Sequence, residues 1–182
     1  MLQDGEHDAY FESEGVFVYD KKTTSHGNEP KYLYHYTDRQ SLAAITRKGG
    51  SYFLRGSKKS PFGNNVSHGE GIYLTACPPQ CMTQTLVKNN WCNAPFDHRT
   101  EAYFRFPMSW LASRGVQEVD HFCPGGACPR NAQWKSKSVW LLPGDGIDLI
   151  ELAGVKGWKI GLRKVHGGMW HDFRELDDCA WN

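Results

Sequence analysis

Short runs of β-branched and aromatic residues recur along the chain, and segments rich in glycine, proline and polar residues separate them. Such runs predict strands, because a half-buried strand alternates apolar and polar side chains. Strands are predicted at residues 15–20, 31–36, 52–54, 71–75, 101–106, 138–142, 146–152 and 158–162, and helices at 38–48, 82–88 and 107–114. The elements do not alternate as βαβ units, so the pattern predicts an α+β fold with few short helices.

Local signals predict both ends of the first helix. Residues 37–40, with the sequence TDRQ, fit a capping box in which Thr37 caps a backbone N–H and Gln40 reaches back. The glycines at 49–50 are expected to end the helix.

The chain of 182 residues is long enough for one domain with a buried core. Residues 31–165 are predicted to form it, after an N-terminal extension at 1–30 with one predicted strand and before an aromatic, acidic tail at 166–182. Within the domain, the predicted strands at 138–142 and 146–152 flank the sequence PGDG, which favours a hairpin.

Composition narrows the classes of function. Hydrophobic residues make up 40% of the chain and charged residues 23%, as in ordinary globular proteins. A net charge of +1 provides no global field toward nucleic acid or membranes, and no stretch approaches the length of a membrane-spanning helix. The first residues, MLQDGEHD, are polar and acidic, unlike a secretory signal. We therefore expect a cytoplasmic or nuclear protein without a membrane partner, or a secreted one if a signal peptide preceded this sequence.

The six cysteines permit three states. Free buried thiols are preferred and disulfides come second, because nothing else in the sequence indicates secretion. The spacings Cys77-x3-Cys81 and Cys123-x4-Cys128 are looser than those of structural zinc sites, so a metal site comes third and no metal ligand is assigned.

Several common catalytic motifs are absent from the sequence. The glycine pairs at 49–50 and 125–126 do not lie between a strand and a helix, so neither fits a phosphate-binding loop. There is no GxSxG elbow and no HExxH motif. Six cysteines and eight histidines leave a Cys–His hydrolase open, although no local signature supports one.

Two segments carry the most informative chemistry. The sequence KYLYHYT at 31–37 places His35 on a predicted strand beside a helix start, and HGEGIYLT at 68–75 places Tyr73 just after two glycines. A histidine and a tyrosine on neighbouring strands, with glycines that let a ligand reach the backbone, indicate a nucleotide cleft. Either residue alone is more often part of a core, so the prediction depends on the order and spacing of both segments.

Together these segments resemble the ADP-ribosyltransferase family. The strand and cap YHYTD, followed by SLxxI, a loop, GxGIYLT and a nearby proline, are similar to the His-Tyr-Asp/Glu branch, which includes diphtheria-type toxins and poly(ADP-ribose) polymerases. The similarity covers residues 31–79. It implies split antiparallel β-sheets around an NAD cleft. It also implies a mono-ADP-ribosyltransferase that takes NAD+ as substrate, cleaves the nicotinamide–ribose bond and transfers ADP-ribose to a protein or nucleic-acid acceptor.

The resemblance implies a role for each matching residue. His35 would hydrogen-bond a ribose hydroxyl, the backbone of Tyr36 would pair with the nicotinamide carboxamide, and Tyr73 would stack on the nicotinamide ring. Two glycines would let the chain pass close to the ligand, and the loop at 55–67 would offer Arg55, Lys58 or Lys59 to the pyrophosphate. The expected NAD+-binding residues are His35, Tyr36, Thr37, Arg55, Gly69, Gly71 and Tyr73.

The third residue of the triad is an acid at the start of a later strand. The strand that fits this place, at 138–142, has no acid at its start. The candidates, in order of preference, are Asp148, Asp145 and Glu101. Such a carboxylate would stabilise positive charge developing on the ribose, orient the ribose or activate the acceptor. The expected catalytic residues are therefore His35, Tyr73 and Asp148.

The missing acid motivates a second hypothesis. In it, the chain is a non-catalytic module of the same fold that binds ADP-ribosyl groups, a nucleic acid or a protein partner. If the chain is an enzyme, its acceptor stays open among a protein side chain, a nucleic-acid base, a small molecule and water, the last making it an NAD+ glycohydrolase.

Overall fold

The computed structural model describes residues 10–13, 16–19, 30–58, 69–81, 83–91, 97–119, 139–166 and 169–176. Its strands are β1 (Tyr10–Ser13), β2 (Val16–Tyr19), β3 (Tyr32–Thr37), β4 (Phe53–Arg55), β5 (Gly71–Leu74), β6 (Ala102–Pro107), β7 (Gln117–Glu118), β8 (Trp140–Pro143), β9 (Gly146–Asp148), β10 (Lys159–His166) and β11 (Met169–Leu176). The α-helices are α1 (Arg39–Thr46), α2 (Thr83–Trp91) and α3 (Met108–Ala112), with 3-10 helices at Asp97–Thr100 and Leu149–Leu152. The described chain is thus mixed α and β with few short helices, as the pattern predicted.

Seven of the eleven described strands form two antiparallel sheets. Sheet I has the strand order β11-β10-β6-β3, and sheet II has the order β5-β8-β7. Two strand pairs, β1–β2 and β4–β9, stand apart from them. Strand β11 comes from the segment that the sequence analysis assigned to a tail, and it pairs with β10 in sheet I.

Sheet I buries side chains on both of its faces. On one face, Leu33 and Phe106 are fully buried, and the Phe106 ring stacks on Trp110 of α3 at 6.1 Å between centroids. On the other face, the rings of Tyr34 and Tyr36 stack at 6.3 Å, and both pack against Tyr103. Burial on two sides fixes the position of β3, the strand that carries His35.

The first helix begins one residue later than the capping-box prediction. Asp38, not Thr37, is the N-cap: its carboxylate accepts a bond from Ser41 N–H at 2.6 Å and another from Ser41 Oγ at 2.8 Å. Thr37 instead closes β3, paired with Ala102 of β6. The prediction was wrong because the strand ladder extends through Thr37.

The hairpin predicted around PGDG is also wrong. Strand β8 pairs with β5 and β7 in sheet II, whereas β9 pairs with β4. The turn therefore carries the chain out of sheet II, with Gly144 at φ +115° and Gly146 at φ +152°. Strand β9 is also shorter than predicted, because Asp148 caps Ile150 N–H at 2.9 Å and starts a 3-10 helix.

Membrane-spanning helices were examined over the same residues. In the part of the chain described above, no helix is long and apolar enough to cross a bilayer.

Candidate functional site

Sheets I and II meet at a single bridge and then separate. Tyr34 of β3 and Thr75, just after β5, exchange two backbone hydrogen bonds of 2.8 and 2.9 Å. Within the described residues, no other β-bridge joins β3 to β5. We call the place beside this bridge, where the pairing of β3 with β5 stops, the split; β3 lies on one side of it and β5 on the other.

His35 spans the split with its side chain. Its Nδ1 lies 3.0 Å from the backbone carbonyl oxygen of Tyr73. A carbonyl oxygen only accepts, so Nδ1 carries the proton and donates it, which leaves the Nε2 lone pair as an acceptor. Burial lowers the pKa of His35 from its usual 6.5, although the bond to Tyr73 acts in the opposite direction. The imidazole is therefore neutral at pH 7, with one acceptor nitrogen.

The backbones on both sides of the split point into it. Tyr34 directs its N–H and C=O toward Thr75, and in an antiparallel ladder alternate residues direct theirs to the same side. Tyr36 therefore points its peptide groups away from β6 and into the split. On the other strand, Gly71 bonds to Ser57 and Thr75 to Tyr34, so Tyr73 between them points the same way. Continued pairing would bring Tyr36 opposite Tyr73, but the ladder stops at the bridge.

The ring of Tyr73 is held by its own turn. Its hydroxyl donates to the carbonyl oxygen of Gly69 at 2.9 Å, and the residue is half-buried. Gly69 has φ +111°, and a Cβ there would meet only Leu141, at 3.6 Å. A Cβ at Gly71, in contrast, would overlap the carbonyl oxygen of Leu142. Gly71 is therefore required by the pairing of β5 with β8, a reason independent of any ligand.

A buried arginine holds the chain that follows β5. Arg163 of β10 is 0% exposed and donates to the carbonyl oxygens of Pro79, Thr100 and Cys81 at 2.7–2.9 Å. Its guanidinium carbon lies 6.0 Å from the centroid of the Tyr36 ring. Burial lowers the pKa of Arg163, whereas its neighbours, Tyr36 first among them, raise it.

The hydroxyl of Tyr36 holds the same turn. It donates to the carbonyl oxygen of Cys77 at 2.8 Å. Burial raises the pKa of Tyr36 well above its usual 10.0, with Arg163 acting against the rise. Tyr36 and Arg163 together anchor the turn that follows β5. Sequence reasoning missed this anchor, because nothing in a basic LRK run distinguishes a buried arginine from an exposed one.

The acid candidates lie on other elements. Asp148 pairs with Phe53 in the β4–β9 ladder, and its carboxylate caps Ile150. Asp145 is exposed, and its carboxylate lies 2.9 Å from Lys58 Nζ. Glu101 is half-buried, and its carbonyl oxygen accepts from the backbone N–H of Arg163. None of these described contacts brings a carboxylate to His35 or Tyr73.

Strand β8 places apolar side chains beside Tyr73. Leu141 is the direct partner of Tyr73, and Trp140 and Leu142 on either side of it are buried. The start of the predicted strand, at Ser138, lies outside the described residues, as do Lys59, His68 and the rest of the loop at 59–68.

Two of the residues expected to bind NAD+, Arg55 and Thr37, lie at strand ends. Arg55 is exposed at the end of β4, opposite Gly146. Ser57, two residues later, bonds to Gly71 at 2.7 and 3.0 Å and so joins this strand pair to β5. Thr37 is half-buried at the other end, two residues beyond His35 on the same strand.

Cysteines and metal ligands add little to this site. Cys77 is buried and Cys81 is half-buried, and the two are not joined to each other in a disulfide. Cys92, Cys123, Cys128 and Cys179 lie outside the described residues, so the preference for free buried thiols stays a prediction. Across the ranges that the structure describes, no three His, Cys, Asp or Glu side chains are grouped to hold a metal ion.

Comparison with known proteins gives no assignment. No family model, no curated protein and no solved structure matches the chain. The function must therefore be inferred from the split between the sheets and the residues beside it.

Proposed function

We propose that this protein is an NAD+-dependent mono-ADP-ribosyltransferase, with its substrate bound in the split between sheets I and II. The observation that carries the proposal is the bond from His35 Nδ1 to the carbonyl oxygen of Tyr73, at the point where the sheets separate. It supports the resemblance of the sequence because it joins the two segments on which that resemblance depends.

The neutral state of His35 suits a ribose. Its Nε2 accepts a hydrogen bond, and a ribose hydroxyl donates one. An imidazolium in this place would offer a second donor and lose the acceptor. The lowered pKa keeps the neutral form through the physiological range.

The open backbone edge of β3 suits a carboxamide. The nicotinamide amide carries one donor group and one acceptor, and the N–H and C=O of Tyr36 form the complementary pair. Their direction into the split follows from the Tyr34–Thr75 bridge. Tyr73, across the split, supplies an aromatic face for the cationic nicotinamide ring.

In the reaction, the bond between the ribose C1′ and the nicotinamide nitrogen breaks, and nicotinamide leaves as a neutral amide with the bonding electrons. The acceptor forms a bond to C1′ and loses a proton. Positive charge develops on the ribose, so a carboxylate near it lowers the barrier. To take this role, Asp148 would give up its cap at Ile150, and Asp145 would give up its ion pair with Lys58.

A second candidate function is a binding module without turnover. The observation that favours it is the apolar neighbourhood of Tyr73 on β8, where Leu141 is the direct partner. Such a module would use the same split to hold an ADP-ribosyl group, with no charge stabilisation.

Release of nicotinamide separates the two functions. The protein is incubated with NAD+, alone and with a cell extract as a source of acceptor, and free nicotinamide is quantified by chromatography. We expect release from the unaltered chain, loss in His35→Ala and Tyr73→Ala, and no change in His98→Ala, a matched control at an exposed histidine. NAD+ binding without release identifies the binding module, and neither binding nor release contradicts both functions.

The same assay identifies the acid. Asp145→Asn, Asp148→Asn and Glu101→Gln keep the shape of each side chain and remove its charge. The catalytic substitution abolishes nicotinamide release and leaves NAD+ binding within a few fold, because it removes an interaction made mainly in the transition state.

A further inference from the structure

The charge of this protein is distributed unevenly along the chain. The segment at 31–58 contains six lysines and arginines and a single acid, Asp38, so the rest of the chain is net acidic although the whole has a charge of +1. The carboxylate of Asp38 caps α1 and accepts two hydrogen bonds from Ser41, an uncharged partner. Three of the six cations belong to α1 or directly follow it: Arg39, Arg47 and Lys48.

One side of α1 is exposed along its whole length. Its residues recur at intervals of four, whereas Leu42 is buried on the side that faces the core. We call the exposed side the α1 face; it comprises Arg39, Gln40, Ala43, Ala44 and Arg47. A cation thus lies at each end of the face, with small side chains between them. Lys48, which is also exposed, adds a second cation next to Arg47.

The charges of these cations are not neutralised within the protein as the structure describes it. Arg39 donates to the carbonyl oxygen of Arg163 at 3.2 Å, which orients its guanidinium and leaves its other N–H groups for a ligand. Among the ion pairs that the described residues form, none involves Arg39, Arg47 or Lys48. The helix dipole favours acids in a first turn, yet the first turn of α1 contains Arg39 and no acid.

The side chains of the α1 face suit a phosphate backbone better than other anionic partners. Protein interfaces depend on large buried anchors, and helices that lie on a membrane insert apolar side chains. Between its two arginines the α1 face has Gln40 and two alanines, so it provides neither an anchor nor an apolar wedge. A nucleic acid requires cations on a surface that its backbone can approach closely, and guanidinium groups bind phosphate oxygens in a bidentate manner.

The length of the α1 face also matches a row of phosphates. From Arg39 to Arg47 the helix rises about 12 Å, at about 1.5 Å per residue. In a duplex, successive phosphates of one strand are about 3.4 Å apart along the axis, so the face spans about three of them. Both ends of the face can therefore contact one strand at the same time.

We propose that the α1 face binds the sugar–phosphate backbone of a nucleic acid, with phosphates at Arg39 and at Arg47 and Lys48. The contacts are to the backbone, so binding has little preference for sequence. The proposal is independent of the NAD+ chemistry, because it depends on neither His35 nor Tyr73.

The test is a fluorescence anisotropy titration of a labelled single-stranded oligonucleotide with the full chain, from about 50 to about 200 mM salt. We expect saturable binding with a slope of log affinity against log salt of about −2, because each of three phosphate contacts to a single strand contributes about −0.7. Absence of binding at the lowest salt, or binding that does not weaken with salt, overturns the proposal.

A matched pair of double variants locates the surface by removing charge. Arg47→Gln with Lys48→Gln is expected to weaken binding about ten-fold at the lowest salt and to reduce the slope by about 1.4. Lys31→Gln with Lys156→Gln removes the same charge from exposed lysines outside the α1 face, and is expected to leave affinity and slope unchanged. Equal losses in the two double variants would reveal an effect of net charge alone and overturn the proposal.

A second pair of variants adds charge without removing any contact. Ala43→Glu places a carboxylate in the middle of the α1 face at an exposed helical position, so it is expected to weaken binding about ten-fold with the fold intact. Ala112→Glu, at an exposed alanine of α3, is the control and is expected to bind as the unaltered chain does. Circular dichroism checks the fold of each variant. Unchanged binding in a folded Ala43→Glu variant overturns the proposal.

Competition tests the class of partner. Vesicles of phosphatidylserine and a polyglutamate peptide are each added to the complex at the same concentration of negative charge as an unlabelled oligonucleotide. We expect the oligonucleotide to displace the label and the other two to leave it bound. Equal displacement by the vesicles would identify a membrane surface, and equal displacement by the peptide would identify an acidic protein, so either result overturns the proposal.

Discussion

The Nδ1 of His35 donates to the backbone carbonyl oxygen of Tyr73 across 3.0 Å, and this contact spans the two main sheets where they separate. The two residues are 38 positions apart in the chain. One side chain thus sets the distance between β3 and β5 beside the Tyr34–Thr75 bridge. The same bond determines which nitrogen of His35 faces outward as an acceptor.

A first prediction concerns pH. Because the folded-state pKa of His35 is lowered from 6.5, the unfolded chain binds more protons at this site below that value. The contribution of His35 to the free energy of unfolding is therefore fully present above pH 6.5 and is lost as the pH falls through the folded-state pKa. Urea unfolding from pH 7.5 down to about 5 is expected to show a steeper loss of stability in the unaltered chain than in His35→Gln. If the free energy of unfolding falls equally with pH in the two proteins, this account of His35 is contradicted.

A second prediction distinguishes the observed helix cap from the capping box. Asp38→Ala removes the acceptor of two hydrogen bonds from Ser41 and is expected to lower the free energy of unfolding by about 1 kcal/mol. Thr37→Val is the control, since Thr37 makes no cap. Chemical denaturation measures both. A larger loss of stability in Thr37→Val than in Asp38→Ala would indicate that Thr37 caps the helix, and would contradict the observed helix start.

The cap of Asp38 also has a pH dependence. Desolvation raises the pKa of Asp38, but the hydrogen bonds from Ser41 outweigh it, so the pKa is below its usual 3.8. The stability from this carboxylate is present above pH 3.8 and is lost as the pH falls through the lowered value. The difference between the unaltered chain and Asp38→Ala should therefore shrink in strong acid.

A third prediction compares two glycines: at one, an added Cβ would only strain the backbone, and at the other it would also overlap a neighbouring atom. Both Gly71 (φ +150°) and Gly144 (φ +115°) have positive φ, but a Cβ would overlap Leu142 at Gly71 and meet nothing within 4 Å at Gly144. Gly144→Ala is expected to cost about 1–2 kcal/mol of stability from strain. Gly71→Ala should cost a further 1–3 kcal/mol, approximately, from displacement of β8. Equal losses in calorimetric unfolding would show that β5 and β8 do not pack as described.

A fourth prediction concerns the buried arginine. Arg163→Met leaves the carbonyls of Pro79, Thr100 and Cys81 without their shared donor, so a loss of about 3 kcal/mol or more is expected. Arg47→Met, at an exposed arginine, is the control and should change stability by less than about 0.5 kcal/mol. Chemical denaturation measures the difference between the two variants. A loss in Arg163→Met no larger than that of the control would show that the turn after β5 does not depend on this side chain.

Local sequence signals recovered the elements that carry the site. The segments with His35 and Tyr73 are strands β3 and β5, and a helix follows the first of them, because alternation and glycines act over a few residues. Such local signals do not show which strands pair when the strands are far apart in the sequence. The PGDG turn carried a hairpin signal, yet β8 pairs with β5 and β9 pairs with β4.

The buried arginine had no sequence signal. Arg163 is buried because three carbonyls from distant turns converge on it, an arrangement that only the folded chain creates. The third catalytic residue stays a prediction, because Asp148 and Asp145 are engaged elsewhere and Ser138 lies outside the described residues.

The most direct test of the central claim is calorimetric titration of NAD+ into the unaltered chain, His35→Ala and Tyr73→Ala, with His98→Ala as the control. The account predicts saturable one-to-one binding to the unaltered chain and the control, and affinity at least ten-fold weaker in the other two variants. No binding to the unaltered chain, or equal affinity in all four proteins, would contradict an NAD+ site between β3 and β5.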